Sequence, residues 1–173
     1  ICKGGILEVL QPALFPDPHS RKYAFSCSWD NGSGQCLRAM AQAFKDARHV
    51  AILTDLDPYG IESAGLLLTL LKSLRVKHTL LGINDKWIAA LDKPRRAEPR
   101  PLEECTIPLS AADRRKLPAL ERKFPEVFEA IGPRSHEMLR QRRSLNLECF
   151  FQPRFAKTVS STVMRMVTAA LRP

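Results

Sequence analysis

Closely spaced cysteines and long apolar runs are absent from this chain of 173 residues, and tyrosine is scarce. The five cysteines are widely spaced and form no C-x-x-C pair, which excludes the usual zinc spacings and argues for a reducing compartment rather than a disulfide framework. The longest apolar run, residues 64–71, is interrupted by Gly65 and Thr69 and is too short to span a bilayer. The start lacks a methionine and a signal peptide, so we expect a fragment of a longer protein.

Positive charge is abundant and unevenly distributed. The formal net charge is +9, with a pI near 9.7. Residues 1–71 carry 6 basic and 7 acidic side chains (net −1), whereas residues 72–173 carry 21 and 11 (net +10). Such a balance favours a polyanionic partner. We therefore expect acid-based chemistry in the first half and a phosphate-binding surface in the second.

Apolar segments that alternate with helical patterns predict an α/β fold. Strands are predicted at residues 5–9, 23–27, 49–54 and 76–81, and helices at 36–44 and 61–74. The third strand is almost continuously apolar, as expected of a parallel strand covered on both faces. Alternation of this kind predicts βαβ units and a parallel sheet of four strands flanked by helices.

The second half has a different character. A basic, proline-rich stretch at residues 93–101 predicts an exposed loop, and residues 110–146 alternate helical patches with prolines. Residues 156–171 place apolar side chains on one face, which predicts an amphipathic helix that docks on the core. We expect one domain over residues 1–150, with the loop inserted in it, and a C-terminal docking helix within 151–173.

Two aspartates, Asp55 and Asp57, follow the third predicted strand. They lie at the carboxyl end of that strand, where open α/β sheets bind ligands. Because two close carboxylates repel each other, the pair favours a cation, and oxygen ligands suit Mg²⁺. Asp57 followed by Pro58 is also typical of a helix N-cap, and both interpretations can hold. Glu8, in the first predicted strand, is a further candidate ligand.

The sequence around these carboxylates resembles a known family. A strand that ends in Asp-x-Asp-Pro-Tyr-Gly-Ile, preceded by a strand with a Glu, is similar to the Toprim domain of the topoisomerase VI A subunit and of its eukaryotic relative, the meiotic double-strand-break protein Spo-eleven. Weaker matches follow in the family's order over roughly residues 5–150: Leu81-Gly82-Ile83 with Asp85, residues 107–117, and the pair Leu147-Glu148. Where the family has a glycine–lysine loop after the second strand, this chain reads Ser-Trp-Asp-Asn-Gly.

The resemblance implies a Rossmann-like Toprim fold with additional C-terminal helices, and a Mg²⁺ site, with Mn²⁺ as an alternative, made by Glu8, Asp55 and Asp57. It implies a nuclear protein that cuts double-stranded DNA as a homodimer to initiate meiotic recombination, with a topoisomerase-VI-B-like subunit as a further partner. In the family the nucleophile is a tyrosine on a winged-helix domain, which joins the 5′ end of the DNA. That domain is absent here, so no catalytic residue is expected in this fragment.

Basic clusters are the candidates for DNA contact. They are Arg95, Arg96 and Arg100 in the loop, and Arg140, Arg142 and Arg143 near a helix. Tyr59 is expected to be a packing residue of the Asp-Pro-Tyr-Gly turn, as are Trp29 and Trp87 near predicted element ends. The histidines His49, His78 and His136 are expected to be structural.

Three alternatives remain open. A degenerate Toprim module would bind DNA or partner proteins without metal. An archaeal-type topoisomerase VI A subunit would share the site but not the meiotic role. A phosphatase of the haloacid dehalogenase type also has Asp-x-Asp after a buried strand, but it requires Thr or Val where Tyr59 and Gly60 stand.

Overall fold

A computed structural model of the chain describes residues 34–91 and 105–147, together with Arg165 and Ala169. Its helices and strands are, in chain order, α1 (Gly34–Ala43), β1 (Val50–Ile52), α2 (Pro58–Ser73), β2 (His78–Leu80), α3 (Asp85–Leu91), β3 (Thr106–Pro108), α4 (Ala111–Lys123), α5 (Pro125–Ile131), α6 (Pro133–Arg140) and β4 (Arg143–Leu145).

The predicted parallel pair is present. Strand β1 pairs with β2 in parallel, with Val50 opposite His78 and Ile52 opposite Leu80. Helix α2 connects the two strands, so this part of the chain is the expected βαβ unit. The other two predicted strands, 5–9 and 23–27, lie outside the described residues. The described part is therefore mixed α/β with a parallel sheet of two strands.

Helix α2 is the central element of the core. Its sequence is apolar on most sides, and Ile61, Ala64 and Leu71 are almost completely buried. It packs against α1 on one side and against α4 and α5 on another. The ring of Phe124, at the junction of α4 and α5, lies where a side chain on Gly65 would be, 2.3 Å from the ideal Cβ position. A helix covered on several sides needs apolar residues all round, which explains its leucine-rich sequence.

The second half forms three helices, and the strands before and after them pair with each other. Pro125 and Pro133 occupy the first positions of α5 and α6. A residue in the first position has no hydrogen-bond partner for its N–H within the helix, so a proline there loses no hydrogen bond. Pro118 lies inside α4. Strand β3 pairs with β4 in an antiparallel arrangement that the sequence pattern did not predict. An isolated antiparallel bridge joins Leu56 to Leu145, so β4 is also fastened to the segment that follows β1.

Several smaller predictions can be compared with the structure. Trp87 is buried and its Nε1 donates a hydrogen bond to the Leu81 carbonyl at 3.1 Å, which confirms its packing role. Trp29 lies outside the described residues. Of the predicted C-terminal helix, Arg165 and Ala169 are described; both are helical and exposed. No helix in the described ranges is long and apolar enough to cross a membrane.

Candidate metal centre

Asp55 lies three residues after the end of β1, and its carboxylate already has a structural partner. Its Oδ1 accepts a hydrogen bond from the backbone N–H of Leu147 at 2.6 Å. The neighbouring backbone is paired as well, since Leu56 N donates to Leu145 O at 2.8 Å and Leu145 N to Leu56 O at 3.1 Å. Asp55 thus joins the end of β1 to the segment that follows β4.

Asp57 is the N-cap of α2. Its backbone is extended, with φ −149° and ψ 170°, and its Oδ1 accepts a hydrogen bond from Gly60 N at 2.6 Å. Pro58 follows at the first helical position. The helix-cap interpretation is therefore confirmed, and α2 begins three residues earlier than predicted.

Gly60 allows the helix to begin this close to β1. An ideal Cβ at this position would lie 2.2 Å from the carbonyl oxygen of Asp55, a distance that no side chain tolerates. The first turn of α2 consequently lies against the Asp55 backbone. Because the first turn of α2 lies against the Asp55 backbone, Asp57 is close enough to Asp55 for the two charges to interact.

Burial and negative charge act together on Asp57. Desolvation raises the pKa of its carboxyl group, and the nearby charges of Asp55 and Asp113 raise it further. Hydrogen bonds from the backbone N–H groups of Gly60 and Tyr59 act in the opposite direction, yet the pKa remains above its ordinary value. The ionised form of Asp57 is thus disfavoured, and a bound cation would favour it.

Asp113 is the residue of this neighbourhood that sequence reasoning missed. It lies in the first turn of α4, where its N–H donates to the Oγ of the N-cap Ser110 at 3.1 Å. The Ser110 hydroxyl in turn donates to Asp113 Oδ2 at 2.6 Å. The spacing Ser-x-x-Asp signals a capping box, but nothing in the sequence places α4 beside the start of α2.

Tyr59 is not the packing residue that the sequence suggested. Its side chain is 40% exposed, and the ammonium group of Lys116 lies 3.9 Å from the centre of its ring. A hydrogen bond with the Tyr59 side chain raises the pKa of Lys116, and the charges of Glu62 and Asp113 contribute to the same shift. A cation and an aromatic ring therefore stand at the solvent side of the acidic residues.

The donors at this edge fit a hard cation. Asp55 and Asp57 offer only oxygen atoms, and Mg²⁺ takes one or two carboxylates while keeping several waters. Burial is the main cause of the raised pKa of Asp57, with the charges of Asp55 and Asp113 adding to it, and a bound divalent ion would favour the ionised form against both effects. Within residues 34–91 and 105–147, no three His, Cys, Asp or Glu side chains are arranged to hold a metal together. Glu8, the third predicted ligand, lies outside the described residues.

The basic candidates fall into two sets. Arg95, Arg96 and Arg100 lie outside the described residues. The side chains of Arg140, Arg142 and Arg143 are exposed between the end of α6 and β4. Arg140 donates a hydrogen bond to Glu121 Oε1 at 3.1 Å, so one of its N–H groups is already engaged.

The histidines have structural contacts, as predicted. His49 Nε2 lies 2.7 Å from the Thr79 hydroxyl, and His78 Nδ1 lies 2.8 Å from the Val76 carbonyl. His136 lies 3.2 Å from Glu121 and packs against the ring of Phe128.

Comparisons of the chain with known protein families, with curated proteins and with solved structures find no match.

Proposed function

We propose that this chain is the Mg²⁺-binding Toprim-like domain of a topoisomerase-VI-like DNA transesterase that makes meiotic double-strand breaks. The observation that carries the proposal is the arrangement of Asp55 and Asp57 beyond the carboxyl end of a parallel strand, where burial and, to a lesser extent, the charge of Asp55 raise the pKa of Asp57. The Asp-Pro-Tyr-Gly turn supports it, because Gly60 has a steric reason to be there.

In this proposal the chain positions DNA and does not itself attack it. Asp55 and Asp57 would hold the metal, with Glu8 as the third ligand. When bound, the metal would supply positive charge that attracts the phosphodiester and stabilises the negative charge on the leaving oxygen. The nucleophilic tyrosine belongs to a separate domain, and we assign no nucleophilic role to Tyr23 or Tyr59.

Titration calorimetry with Mg²⁺ and with Mn²⁺ tests the metal site. Asp57→Asn is the sharpest variant, since asparagine caps a helix as well as aspartate does but carries no charge. We expect the parent to bind, and Asp57→Asn to bind at least about tenfold more weakly because an anionic ligand is lost. Asp55→Asn keeps an oxygen for the Leu147 N–H and should weaken binding similarly.

Asp46→Asn is the matched control, because Asp46 is an exposed aspartate in the turn after α1. It should bind metal like the parent. Equal affinity in the parent and in Asp57→Asn would contradict the proposed ligand role. Circular dichroism on each variant would verify that the fold is retained.

The second candidate is a degenerate Toprim-like module that binds DNA or partner proteins without metal. A specific observation favours it, because both carboxylates already accept hydrogen bonds from the backbone. Asp55 accepts from the Leu147 N–H and Asp57 accepts from the Gly60 N–H. These hydrogen bonds would account for both residues in a chain that binds no cation. No heat with either metal, in the chain alone or with duplex DNA present, would support this candidate over the first.

The proposed DNA surface comprises Arg143 and the loop arginines Arg95, Arg96 and Arg100. Arg143 is the first residue of β4. Leu145 of the same strand forms an antiparallel backbone bridge with Leu56, the residue between the two aspartates. A phosphate held by Arg143 would thus lie on the strand that is fastened to the acidic residues. Arg140 and Arg142 instead line a groove between α4 and α6.

A further inference from the structure

A groove of about 550 Å³ lies between α4 and α6, away from the two aspartates. Leu117, Pro118, Phe128 and Leu139 contribute apolar surface to it. Its volume is within the range of roughly 300–1,000 Å³ that is usual for ligand sites. Four arginines also line it: Arg114, Arg115, Arg140 and Arg142.

The charge of the groove is strongly positive. Its single acidic lining residue, Glu121, is already engaged, with His136 Nε2 at 3.2 Å and Arg140 at 3.1 Å from Oε1. Four positive charges against one negative charge leave an excess of three with His136 neutral. Because guanidinium groups pair with carboxylates in bidentate geometry, this rim is complementary to an acidic ligand.

Arg142 is held in an unusual backbone conformation. Its φ is +66°, in the left-handed region that favours glycine. The surrounding backbone fixes it there, since Arg142 N donates to Leu139 O at 2.9 Å and Leu109 N donates to Arg142 O at 2.8 Å. A glycine would adopt this backbone conformation without strain, so Arg142→Gly can remove the arginine side chain from the groove without disturbing the turn.

The apolar part of the groove favours a peptide over nucleic acid. A DNA backbone offers phosphates to the arginines but no apolar group to Leu117 and Pro118. Bases of single strands stack on open aromatic faces. The two aromatic side chains that line the groove, Phe128 and His136, instead pack against each other, with ring centres 4.9 Å apart at a tilt of 58°, and Phe128 is 6% exposed.

We propose that this groove between α4 and α6 binds an acidic segment of a partner protein, with an apolar side chain of that segment on Leu117 and Pro118 and its carboxylates on the four arginines. Such a segment satisfies both halves of the surface. The interaction is independent of the metal site and of DNA.

Fluorescence anisotropy with a labelled peptide panel tests the proposal. Each peptide carries Glu and Asp around a central Leu, Ile, Met or Phe, and a sibling panel carries Ser at the centre. We expect at least one apolar-centred peptide to bind, and its Ser sibling to bind at least about tenfold more weakly. Arg142→Gly should weaken peptide binding by about tenfold or more, because a charged hydrogen bond is lost.

Arg75→Gly is the matched control. Arg75 also has positive φ, +58°, but it follows α2 and does not line the groove. Both glycine variants should keep the melting temperature of the parent, and Arg75→Gly should bind peptide normally. Arg115→Gln, a change at an exposed position, provides a second test and should weaken binding without touching the backbone.

Three results would overturn the proposal. One is that no peptide of the panel binds. Another is that the Ser siblings bind as well as the apolar-centred peptides, which would make the groove a non-specific polyanion surface. The third is that duplex DNA displaces the peptide and Arg142→Gly weakens both ligands equally, which would assign the groove to DNA.

Discussion

At the scale of single residues, Asp57 is a helix cap whose carboxylate is also partly buried beside other negative charges. It caps α2 through the Gly60 N–H, and burial beside Asp55 and Asp113 raises its pKa. Capping requires an oxygen, and asparagine or serine would supply one without charge. The charge of Asp57 also suits the positive end of the helix dipole, and in the proposed metal site the same charge would bind the cation.

Gly60 is the residue whose replacement should be least tolerated at this edge of the sheet. In Gly60→Ala the new methyl group would meet the Asp55 carbonyl, so the first turn of α2 must move away from β1. We expect the free energy of unfolding to fall by about 1–3 kcal/mol, as for other overpacked sites. Urea denaturation would measure the change.

Thr69→Ala, on an exposed position of the same helix, is the control for Gly60→Ala. It should alter the free energy of unfolding by no more than about 0.5 kcal/mol. A Gly60→Ala variant as stable as the Thr69→Ala variant would show that the helix start is not constrained by the Asp55 carbonyl.

The two aspartates were predictable because they follow a continuous apolar run and precede a proline, which are local signals. Asp113 was not, because its closeness to Asp57 depends on how α4 packs against α2. The exposure of Tyr59 depends on the same packing. The local sequence pattern thus identifies candidate site residues within one element. Their neighbours from distant elements are known only from the tertiary structure.

At the scale of elements, α6 is capped by a residue from another helix. Its own N-cap, Gly132, has φ +88° and no side chain, and the Asp85 carboxylate of α3 takes the place of a cap. Oδ1 accepts from Ser135 N at 2.7 Å and from Ser135 Oγ at 2.9 Å, and Oδ2 accepts from Arg134 N at 3.2 Å. A side chain on Gly132 would collide with this carboxylate.

Asp85→Ala should therefore destabilise α6 and not α3 alone. We expect a loss of about 1–2 kcal/mol in the free energy of unfolding, the usual effect of removing a helix cap. Asp85→Asn, which keeps one acceptor oxygen, should lose less. Hydrogen exchange would locate the effect: faster exchange at residues 134–136 is expected, and an effect confined to residues 85–88 would contradict the capping role. Lys86→Ala is the neighbouring exposed control.

Among the helices and strands, those with a long or clearly apolar sequence pattern were predicted, and those with a short pattern were not. The 16 residues of α2 and the apolar run at β1 carry enough pattern to be recognised. Strands β3 and β4 have 3 residues each, too few for alternation to be visible, and they exist because they pair with each other and because Leu145 bridges to Leu56. The break between α4 and α5 was signalled by Pro125, whereas Pro118 is accommodated inside α4.

At the scale of the whole molecule, His49 connects stability to pH through the pairing of β1 with β2. Burial lowers its pKa below 6.5, and the charges of Lys77 and His78 lower it further. Below 6.5 the unfolded chain takes up the proton more readily than the folded chain does. The contribution of His49 is therefore fully present above 6.5 and is lost as the pH falls below 6.5 and through the lower pKa of the folded chain.

We expect the melting temperature of the parent to fall more on acidification than that of His49→Gln, whose amide can still reach the Thr79 hydroxyl. Melting curves at pH values well above and well below 6.5 would measure the difference. Parallel curves for the two proteins would show that His49 does not couple folding to pH.

The net charge of the molecule, +10 in residues 72–173 against −1 in residues 1–71, makes a salt-dependent prediction for the proposed DNA contact. Each phosphate neutralised by a basic side chain contributes about 0.9 to the slope of log affinity against log salt. Arg143→Gln should therefore reduce that slope by about 0.9 for duplex DNA, and should do so regardless of DNA sequence because phosphates carry no base information.

Arg38→Gln, a change at an exposed arginine on α1 in the first half, is the matched control and should leave the slope unchanged. An equal reduction in both variants would mean that DNA binds through net charge alone, and an unchanged slope in Arg143→Gln would remove β4 from the DNA surface.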